Sequence, residues 1–169
     1  MEYTKLGNTD LEVSKICIGC MSFGKAGTMH DWTLDETESE KVIKHALNLG
    51  INFFDTANCY SAGTSEEYLG KAIRNNIARD KVVIASKVYF NDGRLSKEAI
   101  AREIDGTLQR LGTDYLDLYI IHRFDFDTPV EETMEALDAL VKAGKVRAIG
   151  ASAMYGYQFY NMQLAAKEH

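Results

Sequence analysis

The chain has 169 residues, 46% of them hydrophobic and 26% charged, with a formal net charge of −6. That composition is ordinary for one globular domain, which we expect over residues 1–169, and the acidic balance argues against nucleic-acid binding. No apolar run approaches the roughly 18 residues of a membrane span, and the first residues do not form a signal peptide. Three cysteines cannot all pair, so the sequence predicts a protein of the reducing cytoplasm.

The first predicted elements are a hairpin, a strand and a helix. Residues 3–6 and 11–13 flank a Gly-Asn-Thr-Asp turn, which predicts a short hairpin. A first core strand is predicted over residues 16–19. A helix over residues 33–49 follows, because Thr33 or Asp35 can cap it and acidic residues crowd its first turns.

Strands and helices then alternate to the end of the chain. Helix starts are marked by Thr64 with Glu67 in a capping box, by Ser96, and by Thr128 followed by Pro129. Gly112 marks the end of the helix that begins after Ser96. Further strands are predicted over residues 51–55, 82–87, 115–122 and 146–151, and a last amphipathic segment over residues 157–167.

Strict alternation of this kind predicts a parallel sheet covered by helices. A doubly wound nucleotide-binding sheet normally carries a Gly-x-Gly-x-x-Gly turn after its first strand, and this sequence has none there. We therefore predict an α/β fold of the (β/α)8 TIM barrel type, incomplete here, with an N-terminal hairpin and about five βα units. Eight units take roughly 250 residues. We thus expect the first part of a longer barrel, as a truncated gene, a fragment, or half of an assembly whose open sheet edges favour self-association.

Polar residues stand where the predicted strands meet their following loops. Asp55 and Tyr60 follow the second core strand, Lys87 ends the third, His122 ends the fourth and Ser152 follows the fifth. Each alone has an ordinary structural explanation, such as a cap, a packing residue or a core-edge histidine. Because the carboxyl ends of parallel strands share one rim, we expect all five to converge.

Such a set of side chains permits protonation of a carbonyl oxygen. A phenol, with an ordinary pKa near 10, is a weak acid catalyst at neutral pH unless a cation stabilises its phenolate. Lys87 would supply that cation for Tyr60, Asp55 would hold the lysine charged, and His122 would orient the substrate oxygen. A hydride donor must come from a cofactor, since no side chain supplies one.

Several long motifs carry a family resemblance. Gly50-Ile-Asn-Phe-Phe-Asp-Thr-Ala with Tyr60, the Lys87 strand, the segment 108–122 and the segment 142–152 resemble the aldo-keto reductase family in order and spacing. Arg123-Phe-Asp, Thr128-Pro and Ala-Ser-Ala-Met are most similar to its bacterial and fungal branch, which includes aryl-alcohol-dehydrogenase-like enzymes.

The resemblance implies NADPH-dependent reduction of aldehydes and ketones in a TIM barrel. Tyr60 matches the family's general acid, Lys87 and Asp55 the pair that assists it, and His122 the residue that orients the carbonyl. The substrate would be a small carbonyl compound, with an aromatic aldehyde among the candidates.

For the cofactor, the resemblance implies contacts from Gly19 and Met21 in the first loop, from Asp55 beside the nicotinamide ribose, and from Ser152 at the carboxamide. Ala153 stands where the family often has asparagine. In the family, the contacts to the pyrophosphate and 2′-phosphate of the cofactor come from later strands and loops, and no segment of this sequence corresponds to them.

Three alternatives stay open at this point. Lys87 would be the Schiff-base residue of a lyase on the same fold. Alternatively, the chain is a partner-binding relative, or an inactive truncated barrel. Trp32 and Phe90 either wall an apolar substrate pocket or cover the barrel mouth. No metal site is predicted, since Cys17 and Cys20 lie in an apolar run without a second ligand pair.

Overall fold

The computed structural model describes residues 1–168 as a two-stranded hairpin followed by alternating strands and helices. The elements are β1 Tyr3–Lys5, β2 Glu12–Ser14, β3 Cys17–Gly19, α1 Glu36–Asn48, β4 Phe53–Asp55, α2 Thr64–Asn76, β5 Val83–Val88, α3 Lys97–Leu111, β6 Leu116–Ile121, α4 Val130–Lys142, β7 Val146–Ala151 and α5 Gly156–Glu168. Within residues 1–168, no helix is long and apolar enough to cross a membrane.

The sheet is parallel throughout, in the order β3-β4-β5-β6-β7. Its register pairs Gly19 with Asp55 and Lys87 with Ile120, so the strands end together at one rim. The five helices pack side by side, each against the next along the chain. The predicted α/β class, with a hairpin and five strand–helix units of an incomplete barrel, is confirmed. That residues 1–169 form a single domain stays a prediction, and His169 lies outside the described residues.

The main core lies between the sheet and its helices. Successive residues of a strand point to opposite faces, and Ser86 faces α2, where its hydroxyl donates to Glu66. Its neighbour Lys87 therefore faces away from the helices. Fully buried side chains of both layers fill the space between them: Ile43, Phe54, Leu69, Ile84, Ile100, Ile104, Tyr119 and Leu137.

Three of the predicted helix signals act as expected. The Asp35 carboxylate, rather than Thr33, caps α1 by accepting from the Glu38 N–H at 2.9 Å. Ser96 Oγ accepts from the Ala99 N–H at 3.3 Å at the start of α3. Gly112 ends α3 at φ +65°, a conformation that favours glycine.

Two other predicted caps are wrong, and both hydroxyls hold loops instead. Thr64 is the first residue of α2, and its Oγ1 donates to the Ser61 carbonyl at 2.7 Å while accepting from the Lys25 N–H at 2.8 Å. Thr128 Oγ1 donates to the Asp125 carboxylate at 2.8 Å. Pro129 rather than Thr128 stands at the N-cap of α4.

Candidate active site

The predicted catalytic residues lie together at the carboxyl rim of the sheet. Asp55 is the last residue of β4, Lys87 is the penultimate residue of β5, and His122 directly follows β6. Tyr60 opens a short 3-10 turn between β4 and α2. We call these four residues the tetrad.

Lys87 is the centre of the tetrad. Its side chain is buried, with the residue only 7% exposed. Its Nζ donates to Asp55 Oδ2 at 2.7 Å, to the Thr56 carbonyl at 2.8 Å and to the Tyr60 hydroxyl at 3.2 Å. An ammonium group has three hydrogens to donate. All three therefore have partners, and the charge is fixed in position.

The Tyr60 side chain lies between the lysine and the histidine. Lys87 Nζ is 4.8 Å from the centre of the Tyr60 ring, and the ring packs edge-on against His122 at a centroid distance of 5.6 Å. Because the phenol oxygen accepts from Lys87, its own hydrogen is free to be donated.

His122 is half-buried and neutral at ordinary pH. Burial, followed by the positive charges of Lys87 and Arg123, lowers its pKa to about 4. The Phe90 ring packs edge-on against the imidazole at 5.0 Å. The imidazole can therefore donate one hydrogen bond and accept another, as a protonated ring cannot.

Cys59 is a site residue that the sequence reasoning did not single out. Its Sγ lies 3.9 Å from His122 Nδ1. Burial raises the pKa of this thiol while the pKa of His122 is lowered. The pair is accordingly neutral and does not form the thiolate–imidazolium pair of a cysteine nucleophile. Thr56 is a second site residue that the sequence did not indicate. It accepts from Lys87 through its backbone carbonyl, a group that every residue type carries.

The loop that carries Tyr60 has an unusual backbone. Ser61 and Ala62 have φ values of +48° and +54°, and Gly63 follows at +91°. Non-glycine residues in this region are strained and persist only where the surroundings enforce the conformation. Gly24 is one such support, because a Cβ atom there would lie 2.4 Å from the Ser61 Cβ.

The first turn of α2 supplies the other supports. Ser65 Oγ donates to the Cys20 carbonyl at 2.7 Å and is hydrogen-bonded to Thr56 Oγ1 at 2.9 Å. Together with the Thr64 contacts described above, these bonds tie the helix start to the ends of β3 and β4.

Glu66 connects the same helix turn to β5 and α3. The residue is fully buried, and its carboxylate accepts from Ser86 Oγ at 2.5 Å and from Arg110 Nε at 2.6 Å. The Arg110 side chain in turn packs against Gly63, at the end of the Tyr60 loop. Glu66 thus joins the segment that carries Tyr60 to the strand that carries Lys87.

The residues expected to touch a cofactor are distributed along the rim. Gly19 pairs with Asp55 in the sheet, and Met21 follows in an exposed turn. Ser152 lies at the opposite edge of the sheet, where its N–H donates to the Ile121 carbonyl at 2.9 Å. The Asp55 carboxylate can accept hydrogen bonds from ribose hydroxyls, and the Ser152 hydroxyl can bond to a carboxamide. These residues therefore fit a nicotinamide riboside.

The two aromatic residues predicted near the mouth differ in placement. Phe90 packs against the tetrad through His122, whereas Trp32 stacks on His30 at 4.5 Å and is exposed. Among residues 1–168, no cluster of three or more histidine, cysteine or acidic side chains is arranged to hold a metal ion.

The parallel sheet, with the tetrad at its carboxyl rim, defines a protein of the (β/α)-barrel class. The model of the Aldo/keto reductase family matches residues 15–168, which is most of the chain. The chain belongs to the aldo-keto reductase family.

Curated relatives agree with this assignment. The chain is 42% identical over 187 residues to versiconal hemiacetal acetate reductase of Aspergillus parasiticus, covering 96% of this chain and 54% of the relative. It is 43% identical over 196 residues to a Schizosaccharomyces pombe protein named for aryl-alcohol dehydrogenase, covering 99% and 56%. The predicted family and its aryl-alcohol-dehydrogenase-like branch are confirmed.

Solved structures agree in fold. The holo form of an aldo-keto reductase from Bacillus halodurans superposes with a TM-score of 0.85 at 34% identity, covering 98% of this chain and 55% of that one. The thermostable aldo-keto reductase Tm1743, in complex with the inhibitor epalrestat, gives a TM-score of 0.83 at 32% identity, covering 99% and 59%. The chain therefore spans a little over half the length of the relatives it matches.

Proposed function

We propose that the protein reduces aldehydes and ketones to alcohols with NADPH, using Tyr60 as the general acid. The observation that carries this proposal is the position of Lys87 Nζ, which is bonded at once to the Asp55 carboxylate and to the Tyr60 hydroxyl. NADPH, when bound, supplies the hydride that no side chain can supply. Family membership supports an oxidoreductase acting on carbonyl groups.

Tyr60 gives its hydroxyl proton to the carbonyl oxygen as that oxygen gains negative charge. The phenolate that remains lies beside the Lys87 ammonium, which stabilises it because both of these side chains are largely buried. Asp55 holds the ammonium in place and compensates its charge while it is buried.

His122 orients the substrate. If Nδ1 accepts from the Cys59 thiol, 3.9 Å away, the ring proton stands on Nε2, from which it can be donated to the carbonyl oxygen. The Phe90 ring, packed on His122 and half exposed, offers an apolar wall for an aromatic aldehyde.

Gly19, Met21, Asp55 and Ser152 would hold the nicotinamide end of NADPH. Gly19 has no side chain to obstruct the approach, and a Cβ there would meet no atom within 4 Å. Asp55 offers its partly exposed carboxylate to the ribose, and Ser152 offers a hydroxyl to the carboxamide. The three cysteines are free thiols, which supports a cytoplasmic location as part of the proposal.

The geometry argues against the alternative of a Schiff-base lyase. A nucleophilic lysine needs a neutral amine with a free lone pair. Lys87 Nζ instead donates three hydrogen bonds, one of them to a carboxylate, so it offers no lone pair to a substrate. Borohydride in the presence of an aldehyde should accordingly trap no adduct on Lys87.

The test is NADPH oxidation with 4-nitrobenzaldehyde by the purified chain. Tyr60→Phe and Lys87→Met should each lower kcat/KM by at least about 100-fold, the usual contribution of a positioned acid. Tyr115→Phe and Lys5→Met are matched controls and should leave the rate unchanged. Tyr115 directly precedes β6. Lys5 pairs with Glu12, whose carbonyl accepts from Asn52 just before β4, so both controls lie towards the opposite rim of the sheet.

Two results would contradict the proposal. Activity that survives Tyr60→Phe would remove Tyr60 as the acid. Failure of the unmodified chain to bind NADPH at millimolar concentration would instead favour an inactive or partner-binding barrel.

A further inference from the structure

A cavity of about 470 Å³ lies beside the tetrad, between the loops that follow β6 and β7. Half of its lining residues are aromatic and two are polar: Tyr89, Phe124, Phe126 and Tyr155, with Arg123 and Gln158. Phe126 and Tyr155 are largely exposed, so the cavity opens to solvent. Exposed aromatic side chains gathered around a concavity are typical of a ligand site.

Gln158 lines this cavity and carries an unpaired hydrogen-bond donor. The residue is only 2% exposed, and its Oε1 accepts from the Tyr155 N–H at 2.8 Å. That bond fixes the orientation of the amide, and Nε2 is then buried without a partner among the described residues. Buried polar groups are normally paired, because an unpaired donor costs about 1–3 kcal/mol. An acceptor atom of a ligand would remove that cost.

Arg123 brings an unpaired positive charge to the same cavity. Within residues 1–168, its guanidinium has no carboxylate within salt-bridge distance, although acidic residues outnumber basic ones by 25 to 19. Its contact is with the Phe90 ring, whose centre lies 5.6 Å from the guanidinium carbon. A guanidinium beside aromatic walls is suited to a planar anion.

Phe90 connects the cavity to the tetrad. Its ring centre lies within about 6 Å of both the Arg123 guanidinium carbon and the His122 ring. A substrate whose carbonyl reaches His122 can therefore lay an aromatic ring against Phe90 and direct its far end toward Arg123.

We propose that this cavity binds the oxyanion group of an aromatic carbonyl substrate, with Arg123 and Gln158 Nε2 as the donors. The inference rests on the proposed reductase function and names its substrate class, which is aromatic aldehydes bearing a carboxylate. A phosphate of the cofactor is the other source of an oxyanion, and the experiments separate the two.

The first experiment measures binding without turnover. Isothermal titration of the unmodified chain with 4-(hydroxymethyl)benzoate, the alcohol product, should give at least about tenfold tighter binding than its uncharged methyl ester, as charge-assisted hydrogen bonds provide. The preference should shrink as salt rises from about 0.05 to 0.5 M, because the guanidinium is accessible to solvent.

The second experiment uses variants of the two donors. Arg123→Met and Gln158→Leu should each remove most of the preference for the carboxylate while leaving binding of the ester within about twofold. Lys5→Met removes the same unit charge far from the cavity, and it should retain the full preference. Circular dichroism identifies any variant that fails to fold, and Arg123→Lys, which keeps the charge, should restore part of the preference.

The outcomes separate this inference from the reductase proposal. A carboxylate preference without NADPH oxidation supports the subsite and contradicts the reductase. Oxidation of NADPH with equal kcat/KM for 4-formylbenzoate and its methyl ester supports the reductase and overturns the subsite. An Arg123→Met variant that weakens NADPH binding and affects both aldehydes equally would assign the cation to the cofactor instead, and would also overturn the inference.

Discussion

The charge of a single side chain, His122, follows from its surroundings. Burial and the neighbouring cations Lys87 and Arg123 lower its pKa to about 4, against an ordinary value near 6.5. We expect NMR titration of the imidazole carbon-bound protons to show a midpoint well below that of the same histidine in urea. Lys87→Met should move the midpoint upward, because one of the two repelling charges is removed. A midpoint at or above 6.5 in the folded chain would contradict this account of the site.

The same lowered pKa makes the stability of the folded chain depend on pH. The unfolded chain binds a proton at His122 below pH 6.5, whereas the folded chain does not until about pH 4. The stabilisation is thus present above pH 6.5 and is lost as the pH falls towards 4. Urea unfolding at pH 7 and pH 5 should show a larger decrease for the unmodified chain than for His122→Gln, which has no group to protonate. Equal decreases would show that His122 does not titrate differently in the two states.

At the scale of the elements, the start of α2 should depend on its buried carboxylate. Glu66→Ala leaves the Arg110 guanidinium without its partner and breaks the bond to Ser86, so we expect a loss of about 3–5 kcal/mol in the free energy of unfolding. Glu36→Ala on α1 is a matched control, because its ion pair with Lys71 is exposed and is worth at most about 1 kcal/mol. Urea denaturation measures both, and similar losses for the two variants would contradict the role assigned to Glu66.

The contact between α2 and α3 should also be sensitive to a single methyl group. A Cβ at Gly70 would lie 2.2 Å from the Leu111 carbonyl oxygen, a backbone atom that cannot move alone. Gly70→Ala should therefore destabilise the chain by about 2–3 kcal/mol despite the higher helix propensity of alanine. Gly156→Ala, at the start of α5, meets no atom within 4 Å and should be neutral or slightly stabilising. Thermal unfolding compares the two, and a stabilising Gly70→Ala would show that the helices separate freely.

The sequence was sufficient to predict which helices and strands form. It was not sufficient to predict the hydrogen-bond partners of some residues at their ends. Hydrophobic periodicity and glycine positions located each of the five helices of residues 1–168 and the strand over residues 146–151. Thr64 and Thr128 are each followed by acidic residues of a helix start, as true caps are. The folded chain instead brings Ser61 and Lys25 to the Thr64 hydroxyl, and Asp125 to the Thr128 hydroxyl. A local pattern carries no information about which distant backbone group will come within reach.

Across the whole molecule, the placement of the site followed from topology. Parallel strands end at one rim, so Asp55, Lys87 and His122 converge once the alternation of elements is recognised. Backbone strain at Ser61 and Ala62 was not predictable, because neither residue type favours a positive φ. The Arg123 and Gln158 cavity was also missed. It depends on two loops from different strands, and Gln158 has no sequence signal that separates it from an ordinary helix residue.

The sheet has two unpaired edges in the part of the chain that is described, since β3 pairs only with β4 and β7 only with β6. Parallel edges with unpaired N–H and C=O groups favour association, and apolar side chains border β7. We expect the purified chain to self-associate in a concentration-dependent manner by light scattering between about 10 µM and 1 mM, the range in which exposed strand edges cause association.

A pair of variants tests whether the edge at β7 is responsible. Ile149, on β7, is 38% exposed, and Ile149→Lys places a charge on that strand and should shift the equilibrium toward monomer. Val42, on α1, is similarly exposed at 41%, and Val42→Lys should leave the equilibrium unchanged. A chain that stays monomeric at 1 mM, or that responds equally to both substitutions, would show that the strand edges do not drive association.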